Sequence, residues 1–323
     1  MRRPVICILA VALLLVFSLG PAMAKEKELK AVCFLPKNHP IAAMTLEWVK
    51  RINDYCQGEL EIKYMGGPEV IPGLEQVEAL RKGVVQVTFS PTAYYQSILP
   101  EGVSFTLSKL TPWEERRPGG FYDFMVERHK RINVMYVGRW FHGPFYLWLK
   151  NPVETPKDLK GRKLRTTALY DRFMKAVGAV PVTISMPETY TALERGTVEG
   201  SGWPLVGPRQ YGWTEVCKYV IDHPFYNQNT TILMNLDTWN SLPQFLQEKI
   251  KNLTAWFEPY MVGYFDKEIQ MEWKELEKAG VKSIRFSPSD AKSYLDTAYE
   301  VEWKALEEKV PDLVPLLRKL TEY

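Results

Sequence analysis

Cysteine, histidine and net charge are all scarce in this chain of 323 residues, and the shortage of charge excludes some partners. The sequence has 4 cysteines, 4 histidines and a formal net charge of +3. A near-neutral surface with mixed charges gives no electrostatic basis for binding nucleic acid or an anionic membrane. We therefore expect no nucleic-acid partner.

Recognisable catalytic motifs are also lacking. No histidine is spaced with another histidine, a cysteine or a glutamate as zinc or iron ligands would be. There is no Gly-x-Ser-x-Gly elbow, no phosphate-binding glycine loop before a lysine and no dinucleotide fingerprint. We expect neither an enzyme nor a bound metal or cofactor. An exported enzyme is the alternative, and it would need a nucleophile, a base or a metal in a cleft.

One long apolar run is present, at the N-terminus. Two arginines precede apolar residues 5–19, and small residues at 22–24 form a cleavage site, which is typical of a signal peptide. The run is short for a membrane span, and no other stretch is long and apolar enough to be one. We expect residues 1–24 to be removed on export to the periplasm. The mature chain would start at Lys25 with a formal charge of +1, because the leader holds two arginines and no acid.

The mature chain would keep three cysteines, Cys33, Cys56 and Cys217. An odd number permits at most one internal disulfide. Cys33 with Cys56 is the favoured pair if one forms, although spacing alone does not establish it. Stability is therefore expected to depend on the apolar core.

Strand and helix patterns alternate along residues 29–89. Predicted strands at 29–35, 60–64 and 84–89 are separated by helices at 41–55 and 74–82. This rhythm is typical of a parallel sheet with crossover helices, in which ligands bind beyond the carboxyl ends of the strands. The loops that follow these strands are therefore candidate binding loops. They are residues 36–40, 66–73 and 90–96.

The pattern restarts from Asp171, which predicts a second α/β lobe. Further predicted elements are a helix at 121–132, strands at 134–140 and 145–149, a helix from 171, a strand at 180–184, a helix at 188–195, strands at 219–226, 231–236 and 282–286, and a helix after 288. We expect lobe I to comprise 25–142 and 229–258, and lobe II to comprise 143–228 and 259–323.

The longest periodic run, residues 242–280, carries one apolar face. A straight helix of this length would extend about 55 Å, which is more than one lobe needs. A helix bracing both lobes fits better than a coiled coil, because the apolar spacing is not a sustained heptad. Pro259 predicts a kink after Ala255.

Arg165 ends the predicted strand 163–166, which follows a turn punctuated by Pro156 and Gly161. A guanidinium there offers a planar fork of donors that matches a carboxylate, which a lysine cannot do. Taken alone, an arginine on a strand is more often a solvated or ion-paired surface residue.

Several spaced motifs together resemble the substrate-binding proteins of TRAP transporters, the DctP-like family. Residues 155–165 read Thr-Pro-x-Asp-Leu-x-Gly-x-Lys-x-Arg, which is similar to the family signature. Residues 178–182 (Gly-Ala-Val-Pro-Val), 188–200 and 239–243 (Trp-x-x-Leu-Pro) agree with it as well. The resemblance covers nearly all of residues 25–310.

The resemblance implies a periplasmic receptor of α/β class with two lobes, a ligand cleft between them and a long helix crossing both. Such a receptor closes on an organic acid and delivers it to membrane permease subunits. It also places Arg165 on the family's carboxylate-binding arginine. An exported sensor partner that presents its ligand to a receptor kinase is an alternative compatible with the same pocket.

The chain departs from the family pattern at two places. Where sialic-acid and dicarboxylate members commonly carry Glu-Asn, it has Gly202-Trp203, and where some members have a second arginine, it has Phe145. Both changes replace polar groups with apolar ones, so a second carboxylate or a polyhydroxyl chain would be poorly paired. Trp203 with residues 206–208 and 92–95 looks more like the members that bind 2-oxo monocarboxylates. Some of those hold sodium, but no extra acidic ligand is evident here.

We therefore expect a monocarboxylate with an apolar or aromatic body, or a 2-oxo acid. The candidate ligand-binding residues are Arg165, Trp203, Tyr94, Tyr95, Phe145, His39, His142, Met186 and Glu69. His129, on a charged helical face, is expected to be solvated.

Overall fold

A computed structural model gives the fold of residues 27–186 and 188–322, apart from the side chains of Pro40, Phe141 and His142. The predicted signal peptide, residues 1–24, lies outside the described residues. The strands within them are β1 Lys27–Cys33, β2 Leu60–Gly66, β3 Val87–Ser90, β4 Val134–Leu149, β5 Lys163–Thr166, β6 Val180–Thr183, β7 Gly200–Trp203, β8 Tyr219–Asn235 and β9 Lys282–Ile284.

The helices within residues 27–186 and 188–322 agree broadly with the predicted helices. They are α1 Ala43–Tyr55, α2 Gln76–Arg81, α3 Ser104–Leu107, α4 Pro112–Glu115, α5 Phe121–Lys130, α6 Asp171–Ala176, α7 Thr189–Glu194, α8 Trp213–Val216, α9 Leu236–Asn240, α10 Gln244–Lys278, α11 Pro288–Glu307 and α12 Val314–Leu320. Short 3₁₀ turns cover Pro40–Ala42, Gly73–Glu75, Thr92–Tyr94, Pro100–Val103 and Pro156–Leu159.

The strands form one mixed sheet with two distinct halves. Their spatial order is β2-β1-β3-β8-β4-β7-β5-β6, and β9 pairs with β8 off this path. In the first half β2, β1 and β3 are parallel, which confirms the predicted βαβ rhythm. In the second half β7, β5 and β6 are parallel. Each half therefore presents the carboxyl ends of its parallel strands along one edge.

Two long strands, β4 and β8, run through both halves of the sheet. The sequence predicted two strands in place of each, and that prediction is wrong. The antiparallel pairing of β4 with β8 continues from one half to the other, with register shifts on both sides of Pro144. Gly143 adopts a φ of +90° and Tyr226 a φ of +48°. These residues bend the two strands at the same level, because each strand keeps its partner through the irregularity.

The long helix α10 packs on both halves, as predicted. It is continuous through Pro259. Five of its side chains enter the core over β1, β3 and the start of β4, and Leu276 enters a separate core under β7. A Cβ on Gly138 of β4 would lie 2.5 Å from Cγ2 of Thr254. Glycine at this position therefore lets the strand and the helix approach each other closely.

The three cysteines of the described residues, Cys33, Cys56 and Cys217, are buried free thiols. The favoured Cys33–Cys56 disulfide is therefore absent from them. Burial raises the pKa of the Cys33 thiol to about 11 and that of Cys217 to about 12. These thiols behave as core side chains, since a buried neutral thiol is a poor nucleophile. Within 27–186 and 188–322, no helix combines the length and apolar composition needed to cross a membrane.

Candidate ligand-binding site

A cavity of about 980 Å³ lies between the two halves of the sheet. All three loops predicted from the first lobe contribute to it, through His39, Pro68 and Thr92 among others. Arg165 and Trp203 line it from the second half. The volume is at the upper end of the range for small-molecule sites, which are usually mostly apolar with a few placed polar groups.

Arg165 is buried in the cavity wall, with 1% of its surface exposed. Its Nε donates to the carbonyl of Ile184 at 2.9 Å, and its Nη1 donates to the Tyr170 hydroxyl at 2.9 Å. A guanidinium has five N–H donors. Three of them, on Nη1 and Nη2, therefore remain without a partner in the described part of the chain. Those two nitrogens form the end of the fork that can bind a carboxylate bidentately.

Two other arginines, the fully buried Arg139 and the partly buried Arg116, are paired with carboxylates. Arg139 donates to Glu115 at 2.6 Å, and Arg116 donates to Glu258 at 2.6 Å. No Asp or Glu oxygen lies within 4.0 Å of Arg165 among the residues that the structure describes. A buried cation is costly without a counter-charge. A ligand carboxylate is the partner that this position calls for.

Tyr170 holds the guanidinium in place. Its hydroxyl accepts from Arg165 and donates to the carbonyl of Gly202 at 2.8 Å. Burial raises the pKa of the phenol, although the Arg165 charge opposes this, so it keeps its proton for the bond to Gly202. A Cβ at position 202 would lie 2.7 Å from the tyrosine ring. Glycine at this position therefore makes room for this anchor.

Replacing Tyr170 with phenylalanine is expected to weaken carboxylate binding about ten-fold, because Arg165 loses one of its two anchors. The variant should also lose about 0.5–1.5 kcal/mol of unfolding free energy, since the buried Gly202 carbonyl loses the Tyr170 donor at 2.8 Å and keeps the longer bond from the Ser201 hydroxyl at 3.3 Å. Calorimetric titration and urea unfolding measure the two effects. Tyr226→Phe is the matched control, because that hydroxyl donates to Ala298 away from the cavity. Equal loss of affinity in both variants would contradict the positioning role.

Aromatic side chains form much of the remaining wall. The Trp203 ring lies 5.5 Å from the guanidinium carbon of Arg165 and 5.6 Å from the Trp213 ring. Phe145 packs on Tyr170 with ring centroids 5.3 Å apart. Tyr94, 37% exposed, contacts Phe34 edge-on across the cavity from Arg165. Flat, apolar walls of this kind favour a ligand with a flat body.

Six of the nine candidate residues line the cavity. They are Arg165, Trp203, Tyr94, Phe145, His39 and Met186. The His142 side chain lies outside the described part of the structure. Glu69 is exposed and does not line the cavity, because its carboxylate turns back to accept the Gly67 amide within its own loop.

Tyr95 does not line the cavity either, and His129 is not solvated. Their side chains are buried and bonded to each other, with the Tyr95 hydroxyl 3.0 Å from His129 Nε2. The 3₁₀ turn at 92–94 points Tyr94 into the cavity and Tyr95 into the core. His129 follows Phe121 and Met125 along the inner face of α5, so helical spacing could have placed it correctly.

Several polar residues that line the cavity are not among the candidates predicted from the sequence. Gln228 and Asn229 lie on β8, where it crosses the cavity, and Tyr170, Gln210 and Tyr211 line the second half. The polar run 227–230 falls between the predicted strands 219–226 and 231–236. An amide-rich interruption in an otherwise apolar strand was the available signal. In the described ranges, no three histidine, cysteine or acidic side chains come together as a metal site would need.

A cavity between two sheet halves, joined by two long strands and braced by one long helix, defines a two-lobed solute-binding protein. The sequence matches DctP, bacterial extracellular solute-binding protein family 7, over residues 32–309. The chain belongs to this family, which confirms the resemblance. TRAP solute-binding proteins of this kind bind small organic acids and work with membrane permease subunits.

Known relatives and solved structures are similar along most of the chain. A monocarboxylate 2-oxoacid-binding periplasmic protein of Nostoc sp. strain PCC 7120 is 25% identical over 253 residues, 74% of this chain and 68% of the relative. The C4-dicarboxylate-binding periplasmic protein of Rhodobacter capsulatus is 21% identical over 280 residues, 84% and 83% of the two chains. A TRAP solute-binding protein from Desulfovibrio salexigens with bound orotic acid superposes with a TM-score of 0.81 at 21% identity, covering 92% of this chain and 97% of that one.

Proposed function

We propose that this protein is the solute receptor of a TRAP transporter and that it binds a monocarboxylate through Arg165. One observation carries the proposal. Arg165 is buried in the wall of a large cavity without a carboxylate partner in the described chain, while Arg116 and Arg139 each have one. The three relatives named above bind, by their descriptions, a 2-oxo monocarboxylate, a C4-dicarboxylate and orotate. All of these are carboxylic acids.

A single charged group in the cavity supports one carboxylate on the ligand rather than two. Of the described side chains that line it, only Arg165 is charged. Phe145, Trp203 and Tyr94 provide apolar surface for the rest of the ligand. The acid therefore has an apolar, flat or 2-oxo body, and the chain delivers it unchanged, as a receptor and not as an enzyme.

The lobe boundaries that we propose are 25–142 with 229–258, and 143–228 with 259–323. The pairing of the long strands supports them, because β3 pairs with residues 231–234 of β8 while β7 pairs with 146–149 of β4. The bends near Gly143 and Tyr226 are where the lobes would hinge. Residues 1–24 would direct export to the periplasm and be removed.

Thermal unfolding of the mature protein with a panel of organic acids tests the function. A ligand that binds only the folded state at 100 times its Kd stabilises it by about 2.7 kcal/mol. We expect a rise in Tm with one or more monocarboxylates and none with neutral sugars. Stabilisation by neutral sugars and by no carboxylate would contradict the proposal.

A further inference from the structure

The cavity wall contains buried polar atoms that Arg165 does not explain. His39 Nε2, Thr92 Oγ1, Gln228 Oε1 and Asn229 Oδ1 are buried without a hydrogen-bond partner in residues 27–186 and 188–322, and so is Trp203 Nε1. The first four come from the first-half loops and from β8, whereas Trp203 on β7 belongs to the second half, as Arg165 on β5 does. Buried polar side-chain atoms are mostly paired. Five unpaired atoms on the residues of one cavity indicate the polar groups of a ligand.

His39 offers a hydrogen-bond donor. Its Nδ1 accepts the backbone N–H of Ile41 at 3.1 Å, so the proton of the neutral ring is on Nε2. Burial lowers the pKa of His39 to about 4, which keeps the ring neutral at physiological pH. The Nε2–H group therefore needs an acceptor from the ligand, such as a carbonyl oxygen.

Asn229 offers a hydrogen-bond acceptor. Its Nδ2 donates to Thr106 Oγ1 at 3.2 Å and to the carbonyl of Asn227 at 3.4 Å. The backbone carbonyl can only accept, which fixes the orientation of the amide. Oδ1 therefore needs an N–H or O–H donor from the ligand. Gln228 Oε1 is a second acceptor, and the Thr92 hydroxyl can pair with either kind of group.

The unpaired atoms are neutral, and this limits the ligand. A second carboxylate would find no second cation among the described cavity side chains. A polyhydroxyl chain would place several hydroxyls against Phe145 and the ring faces of Trp203 and Tyr94, which offer only the indole N–H and the phenol hydroxyl at their edges. A group that combines one donor and one acceptor on a flat body satisfies both His39 and Asn229.

We propose that the ligand is a cyclic amide acid, a flat ring with one carboxylate for Arg165 and a ring N–H and carbonyl for Asn229 and His39. This deepens the proposed function and rests on it, because the carboxylate end is held by Arg165. The ring N–H donates to Asn229 Oδ1 or Gln228 Oε1. The ring carbonyl accepts from His39 Nε2.

Matched pairs of probes test the ligand class by calorimetric titration of the mature protein. Orotate and 6-oxo-1,6-dihydronicotinate are compared with benzoate, and 5-oxoproline with cyclopentanecarboxylate. We expect at least one amide acid to bind about ten-fold or more tighter than its matched acid, because a site built to pair polar groups rejects an analogue that lacks them. Isophthalate and glucuronate test the second carboxylate and the polyhydroxyl chain, and both are expected to bind more weakly.

Two variants locate the effect. Asn229→Leu and His39→Phe should each weaken the best amide acid more than its matched acid, and so bring the two affinities close together, because only the amide acid pairs with the group that is removed. Asn229→Leu removes an acceptor and His39→Phe removes a donor, and the two residues lie on different elements. Thermal unfolding checks that each variant folds, and either variant alone is enough for the test if the other does not fold.

The outcomes separate this inference from the function that it rests on. Three outcomes would overturn the cyclic-amide ligand class but leave the proposed carboxylate site intact. They are equal binding of amide acids and matched acids, tightest binding of isophthalate or glucuronate, and equal weakening of both probes by the variants. Binding of neutral uracil as tightly as orotate, or no binding of any acid, would overturn the Arg165 site and this inference with it.

Discussion

Replacing Arg165 with methionine is expected to lower the affinity for the bound carboxylate at least about a hundred-fold. Hydrogen bonds to charged groups contribute about 1.5–3 kcal/mol each, and the end of the guanidinium can make two of them. Together they correspond to more than two powers of ten in Kd. Methionine keeps much of the side-chain volume, so the fold should persist. Calorimetric titration with the acid that gives the largest thermal shift measures the loss.

Two further substitutions sharpen this result. Arg165→Lys keeps the charge but loses the planar fork, so its affinity should fall between those of the wild type and the methionine variant. Arg162→Met is the matched control, because Arg162 lies three residues earlier, is partly exposed and donates to backbone carbonyls outside the cavity. If Arg165→Met stays within three-fold of the wild type while Arg162→Met does not, the carboxylate binds elsewhere.

Replacing Arg116 with methionine is expected to lower the free energy of unfolding by about 3–5 kcal/mol, because it leaves Glu258 as an unpaired buried charge. Glu258 is in the middle of α10, 2% exposed, and receives two hydrogen bonds from Arg116 at 2.6 and 2.7 Å. This pair joins the chain after α4 to the helix that braces both lobes. Urea unfolding followed by circular dichroism measures the change.

The double variant Arg116→Met with Glu258→Met provides the decisive comparison. It removes both charges, so it should recover a large part of the lost stability. The exposed pair of Lys50 and Asp54 is the control, since Lys50→Met should leave the free energy of unfolding almost unchanged. A double variant as unstable as Arg116→Met alone would mean that lost packing, and not the unpaired carboxylate, causes the effect.

The local sequence determined most of the helices and strands and marked Arg165 as the candidate anchor. Apolar spacing of two residues and of three to four residues reports which face of a segment is buried, and this was enough for the parallel strands β1, β2 and β3 and for the long helix α10. The position of Arg165 at a strand end, within a motif of known family, pointed to the carboxylate. The candidate loops followed from the same logic, because the carboxyl ends of parallel strands face one edge of a sheet.

Spacing could not show whether a break in a pattern ends a strand or bends it. Gly143 and Pro144 are typical of a loop, yet β4 continues through them because β8 keeps its pairing along both halves. The same ambiguity concealed Gln228 and Asn229, which fall between two predicted strands but lie within β8 on the cavity wall. Neighbouring residues can also point in opposite directions at a turn, as Tyr94 and Tyr95 do.

The tertiary structure alone decided which polar atoms are paired. Arg165 is anchored by Tyr170, Tyr170 by the carbonyl of Gly202, and His39 by its own loop. Hydrogen-bond pairing depends on atoms that are close in space and often distant in sequence, so no local pattern encodes it. The sequence therefore determined the class of protein and pointed to Arg165 as its proposed charged anchor. The packing of the two lobes determined which donors and acceptors are left for the ligand.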